Sequence, residues 1–188
     1  KRDKSIQPLV RLHNARLAAG QTQEAAKLVT DWLRANPKDL SVRTYLAERA
    51  LTEKKYDSAV QQYRQMLEIA PKNPMVLNNL AWALGKLNDK SAISVAQQAV
   101  ALAPNSSVVL DTLGVLQLEA GDTAKGLENL KKAVSLGPNQ PQLRLNLAKA
   151  LVKTGDKEGA RKTIEAGLKS APENTPLRKE MEQLLSSL

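Results

Sequence analysis

A single histidine, His13, stands in this 188-residue chain, and there is no cysteine. Any serine nucleophile would have to rely on that one imidazole as its base, and neither a multi-histidine nor a thiolate metal site can be assembled. Disulfides are excluded as well. Carboxylate pairs such as Glu180 and Glu182 fall on a polar helical stretch, with no apolar pocket to shift them toward acid–base work. The glycines stand singly at helix ends or close-packing positions rather than clustering into a loop that could cradle phosphate, and Gly85 alone fits neither role. His13 lies on a helix face turned toward a partner helix, where an imidazole serves packing more readily than catalysis. These residues predict no enzyme, no cofactor and no metal.

The other chemistry within reach is electrostatic. The formal charge is +9, and the densest basic stretch is Lys149, Lys153, Lys157, Arg161 and Lys162, interrupted by Asp156 and Glu158. Mixed signs of this kind usually mark the solvated face of a helix rather than a polyanion site. Single-strand recognition wants aromatic side chains on which bases can stack. Trp32, Tyr45, Tyr56, Tyr63 and Trp82 are instead scattered over different positions of the pattern described below, which argues against nucleic acid. A basic scaffold holding an anionic polymer, such as a polysaccharide or a nucleic acid, is the alternative that the charge leaves open.

The elements that must position these residues are helical. Phe is absent and aromatics make up 3% of the chain, a composition dominated by Ala and Leu and poor in strand formers. No apolar run is long enough to span a bilayer. The chain opens Lys1-Arg2-Asp3-Lys4, without Met and without a signal-peptide core, and so reads as a piece of a longer protein. Pro37, Pro71, Pro104, Pro138 and Pro172 recur at intervals of 34, 33, 34 and 34 residues. Each follows an amphipathic stretch that proline would terminate. Asp39, Asn73, Asn105, Asn139 and Asn174 then supply turn and cap chemistry. Midway between the prolines stand Gly20, Lys54, Asn88, Gly121 and Gly155, where a helix should end in the left-handed conformation; Lys54 is the exception to that chemistry. Asp122 and Asp156 are placed to cap the helices that follow. Each unit is thus two helices of roughly 14 residues.

Aligned on the prolines, Leu12, Leu46, Leu80, Leu113 and Leu147 share one position, followed by the small column His13, Ala47, Ala81, Gly114 and Ala148. The second helices align Ala25, Ala59, Ala92, Gly126 and Ala160, then Val29, Tyr63, Ala96, Leu130 and Ile164, then Trp32, Met66, Ala99, Ala133 and Gly167. This pattern resembles the tetratricopeptide-repeat family over nearly the whole chain. The resemblance implies an all-α, right-handed superhelical α-solenoid forming one domain over residues 1–188. Its repeats would cover 6–39, 40–73, 74–106, 107–140 and 141–173, with a capping helix at 174–188 that carries Leu177, Met181, Leu184, Leu185 and Leu188. The third repeat is one residue short, which predicts a tighter turn at Asp89-Lys90. The first is irregular, with His13, Arg16 and Trp32 at positions that depart from the family pattern.

In that family the first helices of successive repeats line a concave surface. Carried onto this sequence, the resemblance implies a partner-binding groove of Asn14, Thr44, Glu48, Asn78, Trp82, Asp111, Val115, Asn146 and Lys149, with Val10 and Leu145 in the same register. Asn side chains there could pair with an extended peptide backbone, and Trp82 could anchor an apolar side chain or instead pack between helices. The clamp for acidic C-terminal tails known in the family would fall on Val10, Asn14, Tyr45, Met75 and Asn79, of which Asn14 alone has the required chemistry. A chaperone-tail adaptor is therefore not expected. Leu77-Asn78-Asn79-Leu80-Ala81-Trp82, Leu102-Ala103-Pro104-Asn105 and Leu110-Asp111-Thr112-Leu113-Gly114 are similar to repeats of bacterial envelope lipoproteins of exopolysaccharide and PEP-CTERM systems. That likeness implies a periplasmic or outer-membrane-associated scaffold. The expected partner is a protein or peptide.

Overall fold

A computed structural model of the chain describes residues 6–188, so the Lys1-Arg2-Asp3-Lys4 opening lies outside the described residues. Among these residues there are eleven helices and no strand. They form a first compact unit that ends at Pro71 and a second, Lys72–Leu188. In the first unit α1 (Gln7–Ala18) pairs with α2 (Thr22–Ala35), and α3 (Leu40–Thr52) with α4 (Tyr56–Ile69). In the second, α5 (Pro74–Lys86) pairs with α6 (Ala92–Leu102), α7 (Ser107–Glu119) with α8 (Thr123–Leu136), and α9 (Pro141–Lys153) with α10 (Lys157–Leu168). The last helix, α11 (Pro176–Ser186), packs on α10 and α9.

Every first helix ends in the same way. The N–H two residues beyond the helix cap reaches back to the carbonyl six-to-one, as in Gln21 to Arg16, Lys55 to Ala50, Asp89 to Leu84, Asp122 to Gln117 and Asp156 to Leu151. This closure needs a left-handed residue. Gly20, Gly121 and Gly155 supply it, and Lys54 (φ 57°) and Asn88 (φ 55°) adopt the same conformation. The exception in chemistry is therefore no exception in backbone. Caps at the other ends are less uniform. Asp39 accepts the Ser41 and Val42 N–H groups, and Asn73 those of Met75 and Val76. Asn105 and Asn139 precede cap positions held by Ser106 and Gln140, neither of which caps its helix through the side chain, and Thr175 rather than Asn174 caps α11. Asp122 and Asp156 cap α8 and α10 as their positions suggest.

The small columns are where helices touch. Ala25, Ala47, Ala59, Ala81, Ala148 and Ala160 are wholly enclosed. Gly114 and Gly126 face one another so closely that a Cβ on Gly126 would lie 2.9 Å from the Gly114 carbonyl oxygen and 3.0 Å from the Leu118 nitrogen. Gly85 gains a role as well: a Cβ there would run into Leu116 Cδ2, so α7 rests its leucine on the bare backbone of α5. The first unit departs from the column rule. Leu12 is 45% exposed, whereas Leu80, Leu113 and Leu147 are buried, and no described helix precedes α1 to cover that face. His13 is buried at its small column. Trp32, too large for an alanine column, sits partly buried and donates its indole N–H to Asp39 at 2.8 Å, tying the end of α2 to the cap of α3.

The short third repeat does not tighten its turn. Residues 87–91 lie outside the helices, and α6 starts only at Ala92, with 11 residues against 14 in α2, α4 and α8. The missing residue is taken from the first turn of α6, because Ala92 must keep its place in the packing column. Asp89 instead closes a turn of its own by accepting the Ser91 N–H and hydroxyl. At the far end Met181 is fully enclosed, with Leu177, Leu184, Leu185 and Leu188 partly buried around it. Arg178 donates to the Leu168 and Ala171 carbonyls at the end of α10.

Candidate functional site

Within the second unit, α5, α7 and α9 lie side by side and leave an open cavity of about 560 Å³. Trp82 and Lys86 of α5, Asp111, Thr112, Val115, Leu118 and Glu119 of α7, and Gln142, Asn146 and Lys149 of α9 line it. The structure thus brings together Trp82, Asp111, Val115, Asn146 and Lys149, all implied by the sequence. Asn78 lies one turn before Trp82 on α5, buried and not among the residues that line the cavity. Of the lining residues that the pattern does not imply, Thr112 and Leu118 lie beside Asp111 and one turn past Val115, and the others are Lys86, Glu119 and Gln142. Each of these last stands four residues from an anticipated position, at Trp82, Val115 and Asn146, so extending the pattern by one helical turn at each end would have found them.

The walls are mixed, with lysines, amides and carboxyls among apolar side chains. Trp82 is 37% exposed, and the Lys86 ammonium lies 5.3 Å from its ring centroid, a cation–π distance. Gln142 donates to Asn146 Oδ1 at 3.1 Å, and Asn146 in turn donates from Nδ2 to Asp111 Oδ2 at 2.8 Å. The other carboxylate oxygen, Asp111 Oδ1, is buried and meets no donor among the described residues; the same is true of Asn78 Oδ1. Burial pushes the Asp111 carboxyl up to about 7, and the Asn146 amide opposes this only in part. Lys149 leans away to Glu180 of α11 at 2.7 Å, and Lys153 donates to the Leu118 carbonyl at 2.7 Å. Of the remaining basic cluster, Lys162 pairs with Glu158 at 3.2 Å.

The three remaining groove candidates lie in the first unit. Asn14 Oδ1 accepts the Tyr45 hydroxyl at 2.9 Å and the Arg49 guanidinium at 3.3 Å. Tyr45 Oη also lies 2.5 Å from His13 Nδ1. With its proton given to Asn14, the phenol oxygen accepts from the imidazole, which assigns the proton to Nδ1. Burial holds the His13 pKa below the usual value, helped by the Arg49 charge and opposed by Glu53. Thr44 rests its hydroxyl 4.0 Å from the Met66 sulfur, and Glu48 is exposed. Asn14 is therefore committed to a network between α1 and α3. Among the described residues no group of three or more His, Asp or Glu is placed to hold a metal ion, and no helix is long and apolar enough to cross a membrane.

Residues 11–74 and 117–185 match family profiles described as tetratricopeptide repeat, which together cover more than two thirds of the chain. The type IV pilus assembly protein PilF of Pseudomonas aeruginosa is 28% identical over 158 residues, 81% of this chain and 62% of PilF. A solved PilF structure superposes with a TM-score of 0.69 at 25% identity, covering 99% of this chain and 89% of that one. Cellulose synthase operon protein C of Pseudomonas fluorescens is 27% identical over 82% of this chain, which spans 13% of that protein. The chain thus covers less than two thirds of either relative's length. A thermophilic TPR protein of Thermus thermophilus shares the fold with a TM-score of 0.77 and 23% identity, over 97% of this chain and 100% of that one.

Proposed function

The chain belongs to the tetratricopeptide-repeat family, and from that premise we propose that it is an interaction scaffold that holds an extended segment of a protein partner in the groove of α5, α7 and α9. The observation that carries this reading is the cavity itself: an exposed indole beside a line of amide and carboxylate acceptors on three parallel helices. Trp82 offers apolar area at its centre, the usual chemistry of an interface hot spot. Asn146 and Gln142 offer donors and acceptors that an extended backbone can use. The working units on this reading are the five repeats from 6–39 to 141–173 and the cap at 174–188. PilF and the cellulose synthase operon protein, named for pilus assembly and for a polysaccharide operon, support a scaffold in a bacterial assembly of that kind. We place it in the periplasm or at the outer membrane on that basis.

A library of random peptides of about twelve residues, panned against the whole chain, tests the reading. Binders should compete for one site and lose roughly tenfold in affinity on Trp82→Ala, with the circular dichroism unchanged. If Trp82→Ala unfolds the protein, the indole is a packing residue and the groove loses its anchor. The polymer alternative has its own signature. Heparin or alginate would bind more tightly than any peptide, and that affinity would collapse between about 50 and 200 mM salt. The internal bonds of Lys149, Lys153 and Lys162 speak against it.

A further inference from the structure

We propose that the segment held in this groove presents a lysine or arginine side chain, whose cationic head donates to Asp111 Oδ1; this rests on the scaffold reading above. Several observations converge on it. Asp111 has one oxygen satisfied by Asn146 and one buried oxygen with no donor among the described residues. Such a group is costly unless something supplies the missing bond. Asn78 Oδ1, one turn before Trp82 on α5 but outside the cavity's lining, likewise meets no donor among the described residues. What is missing at Asp111 is thus a donor. An ammonium or guanidinium is all donor.

The charged lining is balanced, Asp111 and Glu119 facing Lys86 and Lys149. The cations that could have answered Asp111 from within are committed elsewhere. Lys149 is drawn to Glu180, Lys153 to the Leu118 carbonyl, and Lys86 lies over the Trp82 ring. Glu119 stands exposed on the lining of the same cavity and adds a second negative charge. The walls suit the rest of such a side chain as well, since Trp82, Val115 and Leu118 give an aliphatic stem apolar surface to lie on.

A cation is also the ligand that would hold Asp111 ionised. The charged groups facing it are Lys86 from α5, Glu119 from its own helix and Lys149 from α9. Helix α6 has no charged residue, and none of those on α8 lines the cavity. Since Asp111 carries a proton up to about neutrality in the free protein, a cationic peptide must displace that proton, and its binding should tighten as pH rises from about 5.5 to 8.

The test uses Trp82-dependent peptides recovered from the random library. Most should share a Lys or Arg, and replacing it by Gln should cost roughly tenfold in affinity on the wild-type chain but little on Asp111→Asn. The same peptides should bind at least several-fold more weakly at pH 5.5 than at pH 8, with the Gln versions indifferent to pH. Trp82-dependent binders that lack a basic residue would overturn the proposal while leaving the scaffold reading intact, as would Gln and Asp111→Asn effects that simply add. Absence of any Trp82-dependent binder would instead sink the scaffold reading. Thermal melting of Asp111→Asn guards against misfolding; should it misfold, the peptide replacement and the pH dependence still decide the matter.

Discussion

Asp111 is a carboxyl whose position works against the fold at neutral pH. Its folded pKa, about 7, stands above the ordinary 3.8, so the native state holds a proton that the unfolded chain has released. Stability from this group is fully present below about pH 4 and is lost as pH rises through about 7, on the order of 2–4 kcal/mol in all. Asp111→Asn keeps an oxygen for the Asn146 amide and has no charge to bury. Urea denaturation should therefore find the variant more stable than the wild type at pH 8.5 by that margin, with the difference gone near pH 4; equal stability at both would mean the carboxyl is solvated. Lys54 carries a smaller, different strain. Its left-handed backbone, φ 57°, is the conformation glycine takes at the equivalent Gly20, Gly121 and Gly155. Lys54→Gly should raise stability by about 0.5–1 kcal/mol, the steric relief outweighing the added freedom of the unfolded chain. Neither strain was legible as such in the sequence. Asp111 reads as a groove residue, but the state of its carboxyl depends on Asn146, 35 residues away, and the conformation at Lys54 shows only by analogy with the glycines.

Helices in this chain are placed by columns of small residues, and the columns are what make the fold legible in the sequence. Prolines at near-constant spacing locate the breaks, and alanines and glycines at fixed offsets show which faces must approach closely. What they could not show is how a local irregularity is absorbed. The missing residue of the third repeat shortens α6 rather than its preceding turn, because keeping Ala92 and Ala96 in register is worth more than one helical turn of exposed backbone. Leu12 follows the leucine column yet stays exposed, since burial there needs a neighbouring helix rather than a residue type. The two glycine contacts also differ in kind, and this is testable. A Cβ on Gly126 would strike backbone atoms of α7, at 2.9 Å and 3.0 Å, which cannot yield without separating α7 from α8. Gly126→Ala should cost about 1–3 kcal/mol despite the better helix propensity of alanine. At Gly85 the obstacle is the end of the Leu116 side chain, which can change rotamer, so Gly85→Ala should be neutral to within about 1 kcal/mol. Denaturant midpoints of the two variants check the contrast, and a milder effect at Gly126 than at Gly85 would contradict it.

At the scale of the second unit, each helix pair packs only on its neighbours, so stability should be a sum of local terms rather than a property of one shared core. The capping helix makes this concrete. Met181 is fully enclosed against α9 and α10, beside the bare backbone of Gly167, and Glu180 on the same helix pairs with the Lys149 ammonium at the edge of the groove. Met181→Asp places an unpaired charge in that enclosed position, a change expected to cost more than about 3 kcal/mol at the contact. The loss should remain where it arises. Hydrogen exchange followed by mass spectrometry should show α11 and α10 losing protection most, α9 less, and α5 and α6 least. A uniform loss across α5 to α10 would mean that the unit unfolds as one cooperative block, contrary to nearest-neighbour stacking. The same substitution reaches the groove. Once α11 detaches, Lys149 loses Glu180 and its ammonium becomes the nearest cation free to approach Asp111. A basic peptide should then bind more weakly than to the wild type, and Lys149→Met in the same background should restore part of that affinity. Restoration by the second substitution separates an electrostatic effect of the freed lysine from simple loss of α9, which no change at Lys149 could repair.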